Sequence, residues 1–198
     1  MKAILFVLFI SVSQYTKNAT PWKQVKNDQG IKVFTSNREG YEVKGVKVET
    51  TFNCGVQSVV QAIMDVRSYP NWVYACSETR LLKTISNEEL IYYHVTNAPW
   101  PVNDRDLVSQ FELKKFKDGT VAIQSRSINN FFEERSGYVR VKSSSARWVF
   151  TPDQNGKTHA YYELFFNPGG NIPPWMVNLF ITEGPYQSML KLKKRIEP

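Results

Sequence analysis

"NIPPWMVNLFITEGPYQSMLKLKKRI", residues 171–196, is the stretch whose reading decides the fold. Trp175, Met176, Leu179, Tyr186, Met189 and Leu190 fall on one helical stripe, about 100° apart per step. Pro173 and Pro174 suit the first turn of a helix, where a missing N–H costs nothing. Gly184-Pro185 predicts a kink midway. Lys191, Lys193, Lys194 and Arg195 gather at the C-terminal end, where cations complement the helix dipole. Such a helix needs an apolar surface to lie on, and the rest of the chain reads as that surface.

Working back from the helix, the dominant period is two. Residues 22–35 read as a hairpin turning at Asn27-Asp28-Gln29-Gly30. In residues 41–53, Val46, Val48, Thr50 and Phe52 share a face. Val56, Val59, Val60, Ile63 and Met64 switch to helical spacing, and that helix is expected to stop before Pro70. "SYPNWV", residues 68–73, then turns and buries Trp72. Strands are predicted at 80–85 and 88–96, and again where Leu107, Ser109, Phe111 and Leu113 alternate. Further strands are predicted at 120–128, 137–142, 147–151 and 158–166. With no internal repeat and no low-complexity linker, the chain reads as one α+β domain. A curved antiparallel sheet must have one face covered. Curling such a sheet around a helix leaves room for a cavity.

Composition agrees with this reading. The 198 residues are enough for one domain with a sizeable core. Aromatic residues make up 14% of the chain, a supply suited to lining a cavity as well as filling a core. The net charge of +7 fits solubility and contact with an anionic membrane surface. No nucleic-acid motif accompanies it. "MKAILFVLFISVSQY", residues 1–15, has a basic Lys2, an apolar run interrupted by Ser11, and small residues at Ser11 and Ser13. Residues 1–17 therefore read as a signal peptide, and the chain as exported to the periplasm or secreted. The other reading is a retained N-terminal membrane anchor. The mature domain is then 18–198. Export permits a Cys54–Cys76 disulfide, although two cysteines on unrelated segments read more simply as separate small core residues.

The sequence holds no constellation for chemistry. There is no G-x-S-x-G elbow, H-E-x-x-H helix, P-loop or Rossmann glycine fingerprint. Neither cysteine has metal-ligand spacing, and no cofactor is expected. Asp104 and Asp106 share a strand face by spacing, and nearby arginines make ion pairing their ordinary role. His94 stands on a strand with Tyr92 and Thr96, either as a satisfied strand histidine or as a polar group orienting a ligand within an apolar pocket.

Five stretches together resemble a known family: "GIKVF" (30–34), "SYPNW" (68–72), "PWPVNDRDLV" (99–108), "NPGGNIPPWMVN" (167–178) and "EGPYQSMLKLKK" (183–194). In this order they are similar to StAR-related lipid transfer (START) domains over residues 22–196. The resemblance implies a helix-grip fold: a curved antiparallel sheet wrapped on a long C-terminal helix, enclosing a hydrophobic cavity for one lipid in a monomer. It implies a binding or transfer protein, with the terminal helix and the loop at 129–134 as lid. The ligand-binding residues expected on this basis are Tyr92, His94, Leu107, Phe111, Leu113, Trp175, Met176 and Leu179. Trp72, Trp100, Arg105 and Asp106 are expected to be structural, with Arg105 and Asp106 paired at the corner. Cyclase and dehydrase branches of the superfamily imply a second reading, an enzyme with His94 or Tyr92 as acid or base. The sequence departs from the family at Asn167, where many relatives have Asp. It departs again at Phe111, where steroid-binding members carry an arginine, and this leans toward a more apolar guest.

Overall fold

The alternating strands do pair into one sheet, and their order explains how a cavity arises. The computed structural model describes residues 21–197, apart from the side chain of Leu179; the leader-like segment 1–17 lies outside the described residues. Strands β1 (Lys23–Asp28) and β2 (Ile31–Ser36) form a hairpin that turns at Gln29 and Gly30, both with positive φ. Strand β3 (Gly45–Phe52) leads into helix α1 (Val56–Met64) and a 3₁₀ turn at Val66–Asn71. Strands β4 (Cys76–Ser86), β5 (Glu89–Thr96), β6 (Arg105–Lys115) and β7 (Val121–Ser127) follow as a meander. After the short β8 (Val139–Arg140) come β9 (Ser143–Pro152) and β10 (Thr158–Asn167). Helices α2 (Pro174–Phe180) and α3 (Glu183–Ile196) end the described chain.

The sheet runs β1-β2-β3-β10-β9-β7-β6-β5-β4, antiparallel throughout, with β8 added in parallel beside β6. The last strand thus closes against β3 and places the C-terminal helices over the concave side. Tyr186, Met189 and Leu192 of α3 are buried with Ile31, Val33, Val46, Val48 and Phe52 of the sheet and Val59 and Ile63 of α1. This is the curved-sheet helix grip that the sequence implies.

The single kinked helix is in fact two. The chain breaks at Ile181-Thr182, ahead of Gly184-Pro185, which occupy the first turn of α3. Pro185 has no N–H to give the carbonyl four residues back, at Ile181, so the helix restarts instead of bending through. The strand predicted at 137–142 shrinks to β8, whose flanking N–H groups of Val139 and Val141 donate to Asp104 and Asp106 carbonyls, both at 2.9 Å.

Residue parity decides which side chains enter the hollow. On β5 and β6, Leu90, Tyr92, His94 and Thr96 stand opposite Phe111, Ser109, Leu107 and Arg105. These face the concavity. Ile91, Tyr93, Val95 and Val108 form a separate cluster on the outer face, with Phe132 and Tyr138 packed against it. Asp106 also belongs to the outer face, so the expected Arg105–Asp106 pair does not form: neighbours on a strand point to opposite sides. Asp106 is instead held by Arg140 through two bonds, Nε–Oδ1 at 2.8 Å and Nη2–Oδ2 at 2.9 Å, with both side chains buried. Arg140 also donates to the carbonyls of Phe132 and Glu133. The loop at 129–134, expected as part of the lid, is strapped to the outer face and contributes no residue to the cavity lining.

Breaking one partner of a buried ion pair strands the other charge. Arg140→Met is expected to lower unfolding stability by about 3–5 kcal/mol in denaturant titration. Combining it with Asp106→Leu is expected to restore part of that loss; a double variant as unstable as the sum of the singles would contradict the assignment.

Candidate functional site

The concave face is under-filled because its middle is built from small residues. Phe111, Ser125, Ala146 and Leu164 form one cross-strand row through β6, β7, β9 and β10. The next row is Leu113, Ile123, Trp148 and Tyr162. Ser125 and Ala146 are adjacent and short, so the sheet dips where a neighbour would otherwise fill. The result is a cavity of about 600 Å³ between the sheet, the 3₁₀ turn and helix α2. Its deep wall is aromatic. Tyr92 meets Phe111 edge-on at 4.8 Å and Tyr69 at 5.7 Å, and Trp148 lies 4.1 Å from Tyr162. Two polar groups of this wall are satisfied from behind: the Tyr69 hydroxyl donates to the Ile63 carbonyl at 2.7 Å and the Trp72 indole N–H to the Ser68 hydroxyl at 3.3 Å. Trp72 is buried, as predicted, and borders the cavity.

Of the residues expected to bind ligand, Tyr92, His94, Leu107, Phe111 and Met176 line this cavity. Leu113 does not; it lies one row further along and packs on the core. The Leu179 side chain is outside the described residues. Trp175 is 62% exposed and faces away. The stripe that placed it inward assumed one continuous helix. In the separate α2, Met176, Val177 and Phe180 take the cavity side. Trp100 was expected to be a structural anchor, yet it is 92% exposed. Its neighbours Pro99 and Val102 form the wall, and a turn bond from the Val102 N–H to the Pro99 carbonyl holds them. Trp148, Tyr162, Ser125, Ala146 and Asn97 also line the cavity and were not singled out from the sequence. The period-two phase of β9 and β10 is the signal that would have found most of them.

The electrostatics of the lining are simple. His94 stacks on Tyr92 at 6.1 Å, and its Nε2 lies 2.9 Å from the Thr96 hydroxyl, while Nδ1 has no partner. Burial pushes its pKa down to about 4, outweighing the raising pull of Asp106. Burial likewise raises the Tyr92 phenol. Asp104 accepts the Ala98 N–H and Asp106 is engaged by Arg140, so neither carboxylate orients His94. Among the described residues no cluster of His, Cys, Asp and Glu is placed to hold a metal. Cys54 and Cys76 are separate free thiols. Arg105 reaches the concave side, where Nη1 donates to the Asn103 carbonyl and Nη2 to that of Gly169 at 3.3 Å. Gly169 and Gly170 both adopt φ of 65°, a conformation that glycine takes without steric cost and that brings this backbone up to the guanidinium.

The sequence profile of the START domain matches residues 8–195. The chain belongs to the START domain family. An uncharacterized protein of Pseudomonas aeruginosa is 30% identical to this START domain over 179 residues, spanning 90% of this chain and 88% of its own. The phosphatidylcholine transfer protein of Bos taurus is 28% identical over 173 residues, spanning 82% of this chain and 78% of its own. The crystal structure of a STAR-related lipid transfer protein from Xanthomonas axonopodis superposes with a TM-score of 0.82 at 28% identity. It covers 88% of this chain and 98% of that one.

Two outcomes follow from the cavity of this START domain. Ala146→Trp fills the dip and is expected to cut uptake of a neutral fluorescent hydrophobe at least about tenfold, the effect of losing roughly 1.4 kcal/mol, with cooperative unfolding retained. Unchanged uptake would place binding elsewhere. His94 is protonated near pH 6.5 in the unfolded chain but held neutral down to about 4 in the folded one. Its contribution is complete above about pH 6.5 and drains away as pH falls toward 4, by up to about 3 kcal/mol. The stability of His94→Phe, measured from pH 7 to 4, is expected to lack that share of the decline.

Proposed function

We propose that this START domain, acting as a monomer, binds one lipid or other hydrophobic molecule in the cavity and exchanges it with membranes by displacing α2. The observation that carries the reading is the hollow itself: about 600 Å³ with a mainly apolar and aromatic lining, held open by Ser125 and Ala146. Burial of apolar groups there is favourable without any reacting group. The named activities of the relatives, lipid transfer and phosphatidylcholine transfer, support the same class of guest.

The fastening of the two helices supports α2 as the moving part. Helix α3 is pinned along its length: Lys26 pairs with Glu183 at 3.1 Å, the Tyr74 N–H donates to Ser188 at 2.9 Å, and the Asn53 N–H donates to Glu197 at 3.1 Å. Lys193 further donates to the Thr51 carbonyl. Among the described residues helix α2 has one polar side-chain tie to the sheet side, the Lys44 N–H donating to Asn178 Oδ1 at 3.0 Å. The exposed indoles of Trp100 and Trp175 sit on the two segments whose other residues line the cavity. Tryptophans in such positions favour the membrane–water interface. The charge of +7 favours an anionic surface, and the leader-like residues 1–17 support an exported setting.

Transfer of a fluorescent lipid between vesicles tests this reading. Trp100→Ala combined with Trp175→Ala is expected to slow transfer about tenfold while the isolated protein keeps its capacity for the lipid, as loss of interfacial anchoring requires. Asn178→Ala, which removes the tie of α2 to Lys44, is expected to speed exchange about fivefold, the effect of one hydrogen bond worth about 1 kcal/mol. A wild-type chain that takes up lipid but never passes it on would contradict the transfer half of the proposal.

A further inference from the structure

The lining of the cavity carries one cation, Arg105, that no carboxylate pairs among the described residues. Asp106 is neutralised from behind by Arg140. His94 is neutral at ordinary pH. Arg105 is different: its described bonds go to two backbone carbonyls, its Nε has no partner, and among the described residues no carboxylate lies within ion-pair distance. Asp104, next in the chain, supports the charge only at a distance, and burial works against it. A cation on a largely apolar wall is unfavourable unless the guest supplies the counter-charge. Its two backbone bonds leave Nε and the net charge available to a guest.

The charge sits at one end of a polarity gradient. Arg105 stands opposite Thr96, next come Leu107 and His94, then Ser109 and Tyr92, and last Phe111 and Leu90. Asn97 adds a carboxamide at the Arg105 end. The far end runs on to Trp148 and Tyr162. A guest with one polar terminus and one oily body fits this order in a single direction.

Size narrows the guest further. At about 30 Å³ for each water-sized group, the cavity holds on the order of 20 such groups. One 16-carbon chain with a compact head group fits that number, whereas two such chains bring about 32 carbons before any head group is counted.

We propose that the guest is a single-chain amphiphile whose oxyanion head, a carboxylate or a phosphate monoester, is held by Arg105 at the Thr96–Asn97 end, with its chain running toward Trp148 and Tyr162. This rests on the reading of the cavity as a lipid site. Arg105 acts as the specificity-determining residue, offering charge-assisted hydrogen bonds to an oxyanion. It also ties β6 to the Gly169 carbonyl just ahead of α2, so head-group binding takes place beside the segment that must move for exchange.

The test is competitive displacement of the neutral probe N-phenyl-1-naphthylamine from the full chain. The competitors are palmitate, palmitoyl lysophosphatidate, hexadecanol and dipalmitoyl phosphatidylcholine vesicles. Wild type is expected to bind the probe and to prefer palmitate or lysophosphatidate over hexadecanol at least about tenfold, as a charge-assisted contact requires. The stronger of the two anions identifies the head group. Arg105→Gln is expected to bind the probe but lose the preference, and Arg105→Lys to keep most of it. Equal affinity for palmitate and hexadecanol in the wild type, a preference surviving in Arg105→Gln, or displacement by phosphatidylcholine as effective as by palmitate would each overturn the inference while leaving the cavity reading intact. Failure of the wild type to take up the probe at all would overturn both.

Discussion

Ser125 and Ala146 stand side by side at the centre of the concave face, and the rest of the structure is arranged around the space they leave. A sheet with large residues at both positions would meet the terminal helices as an ordinary core. With a hydroxymethyl and a methyl there, the aromatic side chains of Tyr92, Phe111, Trp148 and Tyr162 surround a hollow instead of closing it. Close packing is the rule in protein interiors, so an apolar void of this size is unfavourable in the empty protein and stabilised by a guest. That imbalance, more than any single polar contact, drives ligand uptake here.

Strand parity is the second organising constraint, and it separates support from recognition. Consecutive residues of β6 perform opposite tasks: Arg105 faces the cavity, while Asp106 faces outward and joins Arg140 to hold the 129–134 loop. The outer ion pair stiffens the wall without placing its own charge on the guest. The bonds of α3 to Lys26, Tyr74, Thr51 and Asn53 leave α2 the less tied of the two helices. In the proposed exchange, anchoring and movement therefore fall to different helices, although sequence periodicity draws them as one.

The sequence made legible what depends on local pattern. The period-two runs marked the strands, and the paired Val46, Val48 and Phe52 face lies in the core as predicted. The stripe through Tyr186 and Met189 lies buried as a helix that grips the sheet should. Less legible was what depends on where a pattern stops or which partner it meets. The helix break is set by the N–H that Pro185 lacks, and it falls about one turn ahead of the predicted kink, with Trp175 left exposed on the separate α2. The corner 99–102 turns Pro99 and Val102 toward the cavity and leaves Trp100 exposed, because only one side of so tight a turn can touch the wall. Arg105 and Asp106 looked like a pair by adjacency; only the cross-strand register reveals that they point apart. The emptiness of the cavity was hardest to foresee, since it depends on two small residues from different strands, adjacent only after β7 and β9 pair.

The central claim is that this hollow holds one greasy guest per chain. Native mass spectrometry of the full chain, purified without detergent and then incubated with lipid vesicles, tests it most directly. The account predicts a complex of one chain with one hydrophobic molecule, which dissociates to bare protein on collisional activation. A chain that stays at its bare mass, or that gathers several lipids in no fixed ratio, would contradict it.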